Sequence, residues 1–217
     1  MASNRPEILI LCIAYKDFLD DNYAPLLNRL GESAHLKRAK TADAAIRCLE
    51  RNPKAVIVAD EGVTIPANRI VADKLESYIR QGGLAIFGLF FPGFTPMDRF
   101  NNLFRQRFGL PWVAGDYHRS RFEFNSKCTL PAGVVSSSFP RPYSMKVLHI
   151  KNARPNEKIF IPIEGARTES FVFSAEPVDQ TQAAVVGAQV GYGYVGYSGD
   201  VNQESESDQV ILSLCGC

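Results

Sequence analysis

The chain has 217 residues, of which 46% are apolar, and its 24 lysines and arginines nearly balance 23 aspartates and glutamates. These values are typical of one globular domain with one core, so we predict a single domain over residues 1–217. Because the net charge is only +1, we expect neither nucleic acid nor an anionic membrane surface as a partner.

The first half of the chain alternates strand and helix patterns four times. The continuous apolar run "EILILCIA" is typical of a strand covered on both faces in a parallel sheet. The predicted strands are 7–14, 34–40, 55–60 and 84–88, and the predicted helices are 20–31, 41–53, 69–83 and 97–109. This order predicts an α/β fold of the flavodoxin-like, doubly wound class with a mainly parallel sheet.

The pattern changes between Leu110 and Gln182, where short strand-like pieces are separated by Pro, Gly and Asn. These pieces are "SRFEFN", "MKVLHI", "KIFIPI" and "SFVFS". We predict a β-rich insertion over 110–182 within the same domain. The following "AAVVGAQVGYGYVGYSGD" predicts a hairpin that turns at 191–193, and 206–216 predicts a closing helix capped by Ser205 or Ser207.

The cysteines and the N-terminus indicate a cytoplasmic, thiol-reduced protein. Five cysteines is an odd number, no Asn-x-Ser/Thr acceptor occurs, and the first apolar run is only as long as a strand. We therefore expect no signal peptide and no membrane segment. Cys215 and Cys217 offer only two sulfur ligands, and no pair of histidines has the spacing of metal ligands. We therefore predict neither a metal nor a cofactor. The sequence does not decide whether carboxylates bind Mg²⁺ or Ca²⁺.

The order of elements resembles the class I glutamine amidotransferase-like superfamily, and within it the fungal proteins related to the ThuA (trehalose-utilisation) group. The stretches that carry the resemblance are "ILILCIAYKDF", "VIVADEGV", "RQGGLAIFG", "GLPWVAGDYHRS" and "GYVGYSGDVNQE". Working amidotransferases of that fold place a cysteine on a sharp turn after a central strand and a His-x-Glu pair after a late strand.

The resemblance fails at those catalytic positions. The strand "GLAIFG" runs into Leu89 and Phe90 without a cysteine, and Asp200 and Asn202 stand where the His-x-Glu pair is expected. Because a carboxylate and an amide do not replace an imidazole as a proton shuttle near neutral pH, we predict no glutaminase activity. No Gly-x-Ser-x-Gly motif supports a serine lipase.

Ligands of open α/β sheets bind beyond the carboxyl ends of the strands. That rule and the polar stretch beside the single tryptophan select the candidate residues. The predicted catalytic acids and bases are Asp60, Glu61, His118 and Asp200, and the predicted binding residues are Tyr15, Lys16, Phe90, Phe91, Trp112, Tyr117, Arg119 and Asn202.

A structural role is the alternative for several of these residues. Asp60 and Asp200 are placed to cap helices or bind loop amides, and Trp112 and His118 also fit a buried turn.

The candidate residues are compatible with two functions. The first is a cofactor-independent acid/base enzyme acting on a small oxygenated metabolite, such as a sugar derivative or a polyketide-like compound; the second is a non-catalytic small-molecule-binding or protein-interaction module. The apolar segment "FGLFFPGF" is in either case a candidate homodimer surface.

Overall fold

The computed structural model of the protein describes residues 5–217. Its strands are β1 (Glu7–Leu11), β2 (His35–Ala39), β3 (Ala55–Val58), β4 (Leu84–Phe87), β5 (Val113–Phe124), β6 (Tyr143–Lys151), β7 (Lys158–Pro162), β8 (Val185–Val190) and β9 (Gly193–Ser198). Its helices are α1 (Leu19–Asn22), α2 (Ala24–Ser33), α3 (Ala42–Leu49), α4 (Arg69–Arg80), α5 (Phe91–Phe94), α6 (Met97–Asn102) and α7 (Ser205–Cys215). One π-helical stretch, Leu103–Arg107, continues α6.

All nine strands form one sheet in the order β2-β1-β3-β4-β9-β8-β7-β5-β6. Strands β1, β2, β3, β4 and β9 are mutually parallel, whereas β9, β8, β7, β5 and β6 pair antiparallel. The doubly wound flavodoxin-like class predicted from the sequence is therefore confirmed. We call the side where the parallel strands end the carboxyl edge and the opposite side the amino edge.

Helices cover both faces of the sheet, and each face has its own core. Helices α3, α4 and α6 pack on one face around residues such as Leu75, Phe87 and Phe104. Helices α2 and α7 pack on the other face around Leu26, Ile57 and Leu212. Strands β1 and β3 are buried on both faces because their residues are apolar without alternation, as the sequence pattern predicts.

The antiparallel half of the sheet curls back toward the parallel half. Isolated bridges join Ile150 of β6 to Ala183 and Val147 of β6 to Asp200. These bridges bring the middle of β6 beside the segment that follows β9, and its end beside the segment that precedes β8. As a result, residues of the β-rich insertion reach the carboxyl edge.

Two local predictions are wrong. The "SFVFS" segment is not a strand but an exposed turn, because its apolar residues have no neighbouring strand to pair with. Neither Ser205 nor Ser207 caps α7; Glu204 occupies the N-cap position without a side-chain hydrogen bond. At α3, by contrast, a side chain caps the helix, since the Thr41 hydroxyl accepts a hydrogen bond from the Ala44 amide.

Candidate functional site at the carboxyl edge

Loops that follow β1, β3, β4 and β9 meet at the carboxyl edge and carry most of the predicted site residues. These loops span residues 12–18, 59–65, 88–95 and 199–204. Among residues 5–217, no hydrogen bond or ion pair joins Asp60 or Glu61 to His118 or Asp200. The predicted acids and bases are therefore not joined in one hydrogen-bonded cluster.

Asp60 binds the amides of two loops. Its Oδ1 accepts a hydrogen bond from the Gly62 amide at 2.9 Å, and its Oδ2 accepts one from the Ala14 amide at 3.0 Å. Burial raises the pKa of Asp60, while these two amides oppose the shift. Oδ1 thus orders the loop after β3, and Oδ2 ties that loop to the loop after β1.

Asp200 plays the equivalent role after β9. Its Oδ1 accepts a hydrogen bond from the Asn202 amide at 2.8 Å, and its Oδ2 accepts one from the Glu204 amide at 2.9 Å. Burial raises the pKa of this carboxyl as well. Asp200 thereby shapes the turn that leads into α7, while the Asn202 side chain stays exposed beside Glu204.

Lys16 and Glu61 form an ion pair between the loops that Asp60 joins. The Lys16 ammonium lies 2.8 Å from Glu61 Oε2 and 2.9 Å from Oε1, and both side chains are mostly buried. The same ammonium lies 4.3 Å from the centre of the Phe94 ring, a cation–π geometry. The pair thus presents a cation and a carboxylate side by side against an aromatic surface.

That aromatic surface consists of rings from two loops. Phe90 contacts Phe18, Phe94 and Tyr23, with ring centroids 5.0, 5.4 and 5.1 Å away. Phe18 and Phe94 are 42% and 45% exposed, so their rings face solvent beside Lys16. We call Phe18, Phe90 and Phe94 the aromatic wall.

The other aromatic candidates differ from the wall. Phe91 is fully buried and packs on Phe87 in the core. Tyr15 donates a hydrogen bond from its hydroxyl to Asp20, and the Lys40 ammonium lies over its ring at 3.5 Å. Of the "FGLFFPGF" segment, only Gly93 and Phe94 are exposed, so little of it is available as a dimer surface.

The turn after β4 has a strained backbone at Leu89. Leu89 adopts φ 56°, a left-handed conformation that is unfavourable for a branched side chain. Its side chain is buried in the core beside Phe90. The sharp turn after β4 therefore carries a buried apolar side chain, and residues 88–95 contain no cysteine.

His118 lies away from the wall, on β5, and pairs with a histidine that the sequence analysis did not select. Its ring centroid is 4.4 Å from that of His149 on β6. The Nδ1 of His149 donates a hydrogen bond to the Asp116 carbonyl oxygen at 2.9 Å. Burial lowers the pKa of both imidazoles, to about 4 for His149. The antiparallel pairing of β5 with β6 brings the rings together, which spacing along the chain could not show.

The remaining candidates around Trp112 have separate environments. Trp112 is fully buried, and its indole nitrogen donates a hydrogen bond to Glu157 Oε2 at 2.9 Å. Tyr117 is exposed on β5. Arg119 binds Glu204 and Ser144, which links β5 and β6 to the start of α7. Trp112 therefore fills the core, whereas Arg119 joins structural elements.

Comparison with known proteins finds similarity at the level of structure. No protein-family model and no curated protein matches the sequence. A ThuA-like protein from Bacteroides uniformis ATCC 8492 superposes with a TM-score of 0.62, over 99% of this chain and 92% of that chain, at 11% identity. A second ThuA-like protein, from Parabacteroides merdae ATCC 43184, gives a TM-score of 0.60 over 98% and 89% of the chains at 9% identity.

The chain shares the fold of ThuA-like proteins. A β-galactosidase from Bacillus circulans sp. alkalophilus also matches, with a TM-score of 0.53 and 12% identity, but the match covers only 30% of that chain. Identities this low establish the fold and leave function to the residues themselves. In residues 5–217, no helix is long and apolar enough to cross a membrane, and no three His, Cys, Asp or Glu side chains cluster as a metal site.

Proposed function

We propose that this protein is a non-catalytic binding module that takes a small oxygenated molecule at the carboxyl edge, between the Lys16–Glu61 pair and the aromatic wall. The observation that carries the proposal is the engagement of Asp60 and Asp200. Both oxygens of each carboxylate accept backbone amides and both side chains are buried, so their geometry serves the structure of the loops and not proton transfer to a ligand.

The remaining polar groups suit recognition of hydroxyl or carbonyl oxygens. Lys16 donates and Glu61 accepts, so together they match a hydroxyl-bearing ligand that can do both. The half-exposed rings of Phe18 and Phe94 offer a flat apolar surface for the face of a sugar or of a planar oxygenated ring. A sugar derivative or a polyketide-like compound carries this combination of groups.

The resemblance supports this reading of the site. We infer that the chain is a divergent ThuA-like protein of the amidotransferase-like superfamily, of fungal type and cytoplasmic, that retains the fold without the triad. Leu89 on the strained turn after β4 fits this inference, because the turn persists without its nucleophile. An acid/base enzyme remains the second candidate, and the ionisable pair Lys16–Glu61 is the observation that favours it.

The test is a ligand screen by thermal shift, followed by calorimetry on any ligand found. The screen uses free sugars, sugar acids and small aromatic metabolites with hydroxyl groups. We expect a stabilising ligand whose affinity falls at least tenfold in Lys16→Met and in Phe94→Ala. The matched control is Lys74→Met, because Lys74 forms a similar but exposed ion pair with Glu50 far from the wall.

Turnover decides between the two candidates. A binding module leaves the ligand chemically unchanged after prolonged incubation, as followed by NMR. If the protein converts the ligand and Glu61→Gln abolishes that conversion, the protein is an acid/base enzyme and the binding proposal is wrong. A ligand that binds equally well to wild type and to both site variants would show that the aromatic wall and Lys16 do not form the binding site.

A further inference from the structure

The loop between β7 and β8 exposes three apolar side chains at its outermost point, at the carboxyl edge. Phe171, Val172 and Phe173 are 111%, 81% and 76% exposed. Three adjacent apolar residues with this exposure form a contiguous apolar patch on the surface. In soluble proteins, such a patch is typical of a site that binds a partner. We call Phe171, Val172 and Phe173 the tip.

The loop below the tip holds it away from the body of the protein. Arg167 and Pro177 form a bridge at its base, and the Thr168 amide donates a hydrogen bond to the Glu176 carbonyl oxygen at 2.8 Å. The Glu169 amide donates to the Arg119 carbonyl oxygen on β5. The tip is therefore presented on an anchored hairpin and is not folded onto its own chain.

A cavity of about 590 Å³, lined by both apolar and polar residues, lies at the opposite, amino edge of the sheet. Its walls come from the start of β4, the segment after β5, the β8–β9 turn and the end of α7. Apolar lining residues include Leu84, Leu130, Pro131, Ala132, Val134 and Leu214. Tyr192 also lines it and is 87% exposed. A cavity of this size accommodates two phenylalanine side chains.

The charges around the tip and the cavity are opposite. The hairpin that bears the tip carries four exposed acidic residues and one arginine: Glu164, Glu169, Glu176, Asp179 and Arg167. Beside the cavity, the amino edge carries the exposed cations Arg5, Lys37, Arg51 and Lys54, and Lys54 borders the cavity itself. Opposite charges on two surfaces of matching size favour their association.

We propose that the tip of one copy of this chain inserts into the amino-edge cavity of a second copy. Because tip and cavity lie at opposite edges of the same sheet, the contact is heterologous, and each added copy leaves one tip and one cavity free. Self-association of this kind is open-ended and concentration-dependent. It requires neither the Lys16–Glu61 pair nor the aromatic wall.

The contact area indicates weak association. An aromatic side chain buries roughly 150–250 Å², so the tip and the cavity walls together bury about 1,000 Å², at the low end for specific interfaces. The assembly is therefore expected to dissociate on dilution into the low micromolar range. High salt weakens its charged component.

The experiment is sedimentation equilibrium on the full chain over a concentration series from about 1 to 500 μM, chosen to span a weak dissociation constant. We expect the average mass of wild type to rise with concentration beyond that of a dimer. The double variant Phe171→Asp/Phe173→Asp loses the apolar tip and should stay monomeric. The variant Ala132→Arg has a blocked cavity and should also stay monomeric. Ile70→Asp is the matched control, since Ile70 is an exposed apolar residue remote from both surfaces.

Mixing the two defective variants gives the decisive result. The cavity-blocked variant still has a tip, and the tip variant still has a cavity, so an equimolar mixture should form 1:1 dimers and nothing larger. Circular dichroism and thermal unfolding establish that each variant folds. Wild type that is monomeric at every concentration overturns the proposal, as does association that survives in the tip variant. Binding of monomeric wild type to anionic phospholipid vesicles through the tip would likewise overturn it and assign the tip to a membrane.

Discussion

The imidazole rings of His118 and His149 lie with their centroids 4.4 Å apart, and the Nε2 of each is buried without a hydrogen-bond partner among residues 5–217. His149 donates from Nδ1 to a carbonyl oxygen, so its Nε2 carries only a lone pair. Two neutral rings are compatible with this packing. A proton on either ring introduces a charge in a desolvated space beside the other ring.

The first prediction is a loss of stability on acidification that originates at His149. Burial lowers its pKa to about 4, below the ordinary value of 6.5, so the unfolded chain binds the proton more readily. The stability present above pH 6.5 is therefore lost as the pH falls toward 4, by up to about 3 kcal/mol. Around the ring, Asp116 and Asp179 raise this pKa, and His118 lowers it.

His149→Asn isolates this contribution, because its side-chain amide can still donate to the Asp116 carbonyl oxygen. Denaturant unfolding of wild type and variant between pH 8 and pH 4 should show a shallower decline in the variant. Buried carboxyls such as Asp60 and Asp200 have raised pKa values and give the opposite slope in both proteins, so they cancel in the comparison. Parallel curves would show that His149 binds its proton as readily in the folded protein as in the unfolded chain.

The second prediction assigns Asp60 to loop structure. Asp60→Ala removes the acceptors of the Ala14 and Gly62 amides and should cost about 2 kcal/mol of unfolding free energy. Asp17→Ala is the control, since Asp17 is exposed and accepts only the adjacent Phe18 amide. We expect that control to lie within about 0.5 kcal/mol of wild type. An Asp60→Ala protein as stable as wild type would contradict the assignment.

Sequence patterns predict the parallel half of the molecule well because each element there is specified locally. Strands β1 and β3 are continuous apolar runs, and α3 begins at a threonine that caps it. The same reasoning fails for "SFVFS", because alternation of aromatic and aliphatic residues does not distinguish a paired strand from an exposed tip. Pairing partners, which decide between the two, are distant in sequence.

The sequence predicts which loops meet at the carboxyl edge but not which groups each candidate side chain contacts. The rule for open sheets selects the loops after β1, β3 and β4, and Lys16 and Glu61 of these loops form an ion pair. Whether a carboxylate faces a ligand or its own loop depends on the direction of nearby amides, which follows from backbone torsions. The His118–His149 contact depends on the register between β5 and β6, which includes an irregularity between Ala114 and Tyr117.

The third prediction concerns the buried hydrogen bond from Trp112 to Glu157. Trp112→Phe keeps an aromatic ring in the core but removes a donor to a buried carboxylate that also accepts the Arg154 amide. Because hydrogen bonds to charged groups are stronger than neutral ones, we expect a loss of about 3 kcal/mol. Tyr194→Phe removes a neutral bond to the Thr129 carbonyl oxygen and should cost about 1 kcal/mol.

Circular dichroism should follow this pair of variants, since Trp112 is the only tryptophan and its fluorescence disappears with the substitution. In wild type, the indole should emit at short wavelength and resist quenching by acrylamide until global unfolding, because it is fully buried. Equal losses in the two variants would mean that the charge on Glu157 adds nothing to the bond.

The fourth prediction contrasts two glycines. A Cβ added to Gly193, at the start of β9, would lie 2.0 Å from the Ile79 carbonyl oxygen and 2.3 Å from that of Gly83. Since both obstacles are backbone atoms, the α4 terminus would have to separate from the sheet. We expect Gly193→Ala to lose more than about 4 kcal/mol of unfolding free energy or to fail to fold, an exceptional cost for one methyl group.

Gly31 lies inside α2, and no atom lies within 4 Å of the added Cβ. Because alanine favours the helix, Gly31→Ala should stabilise the protein by up to about 1 kcal/mol. Thermal unfolding of the two variants beside wild type should therefore give shifts of opposite sign. A Gly193→Ala protein that melts near wild type would show that the β8–β9 turn does not need this close approach to α4.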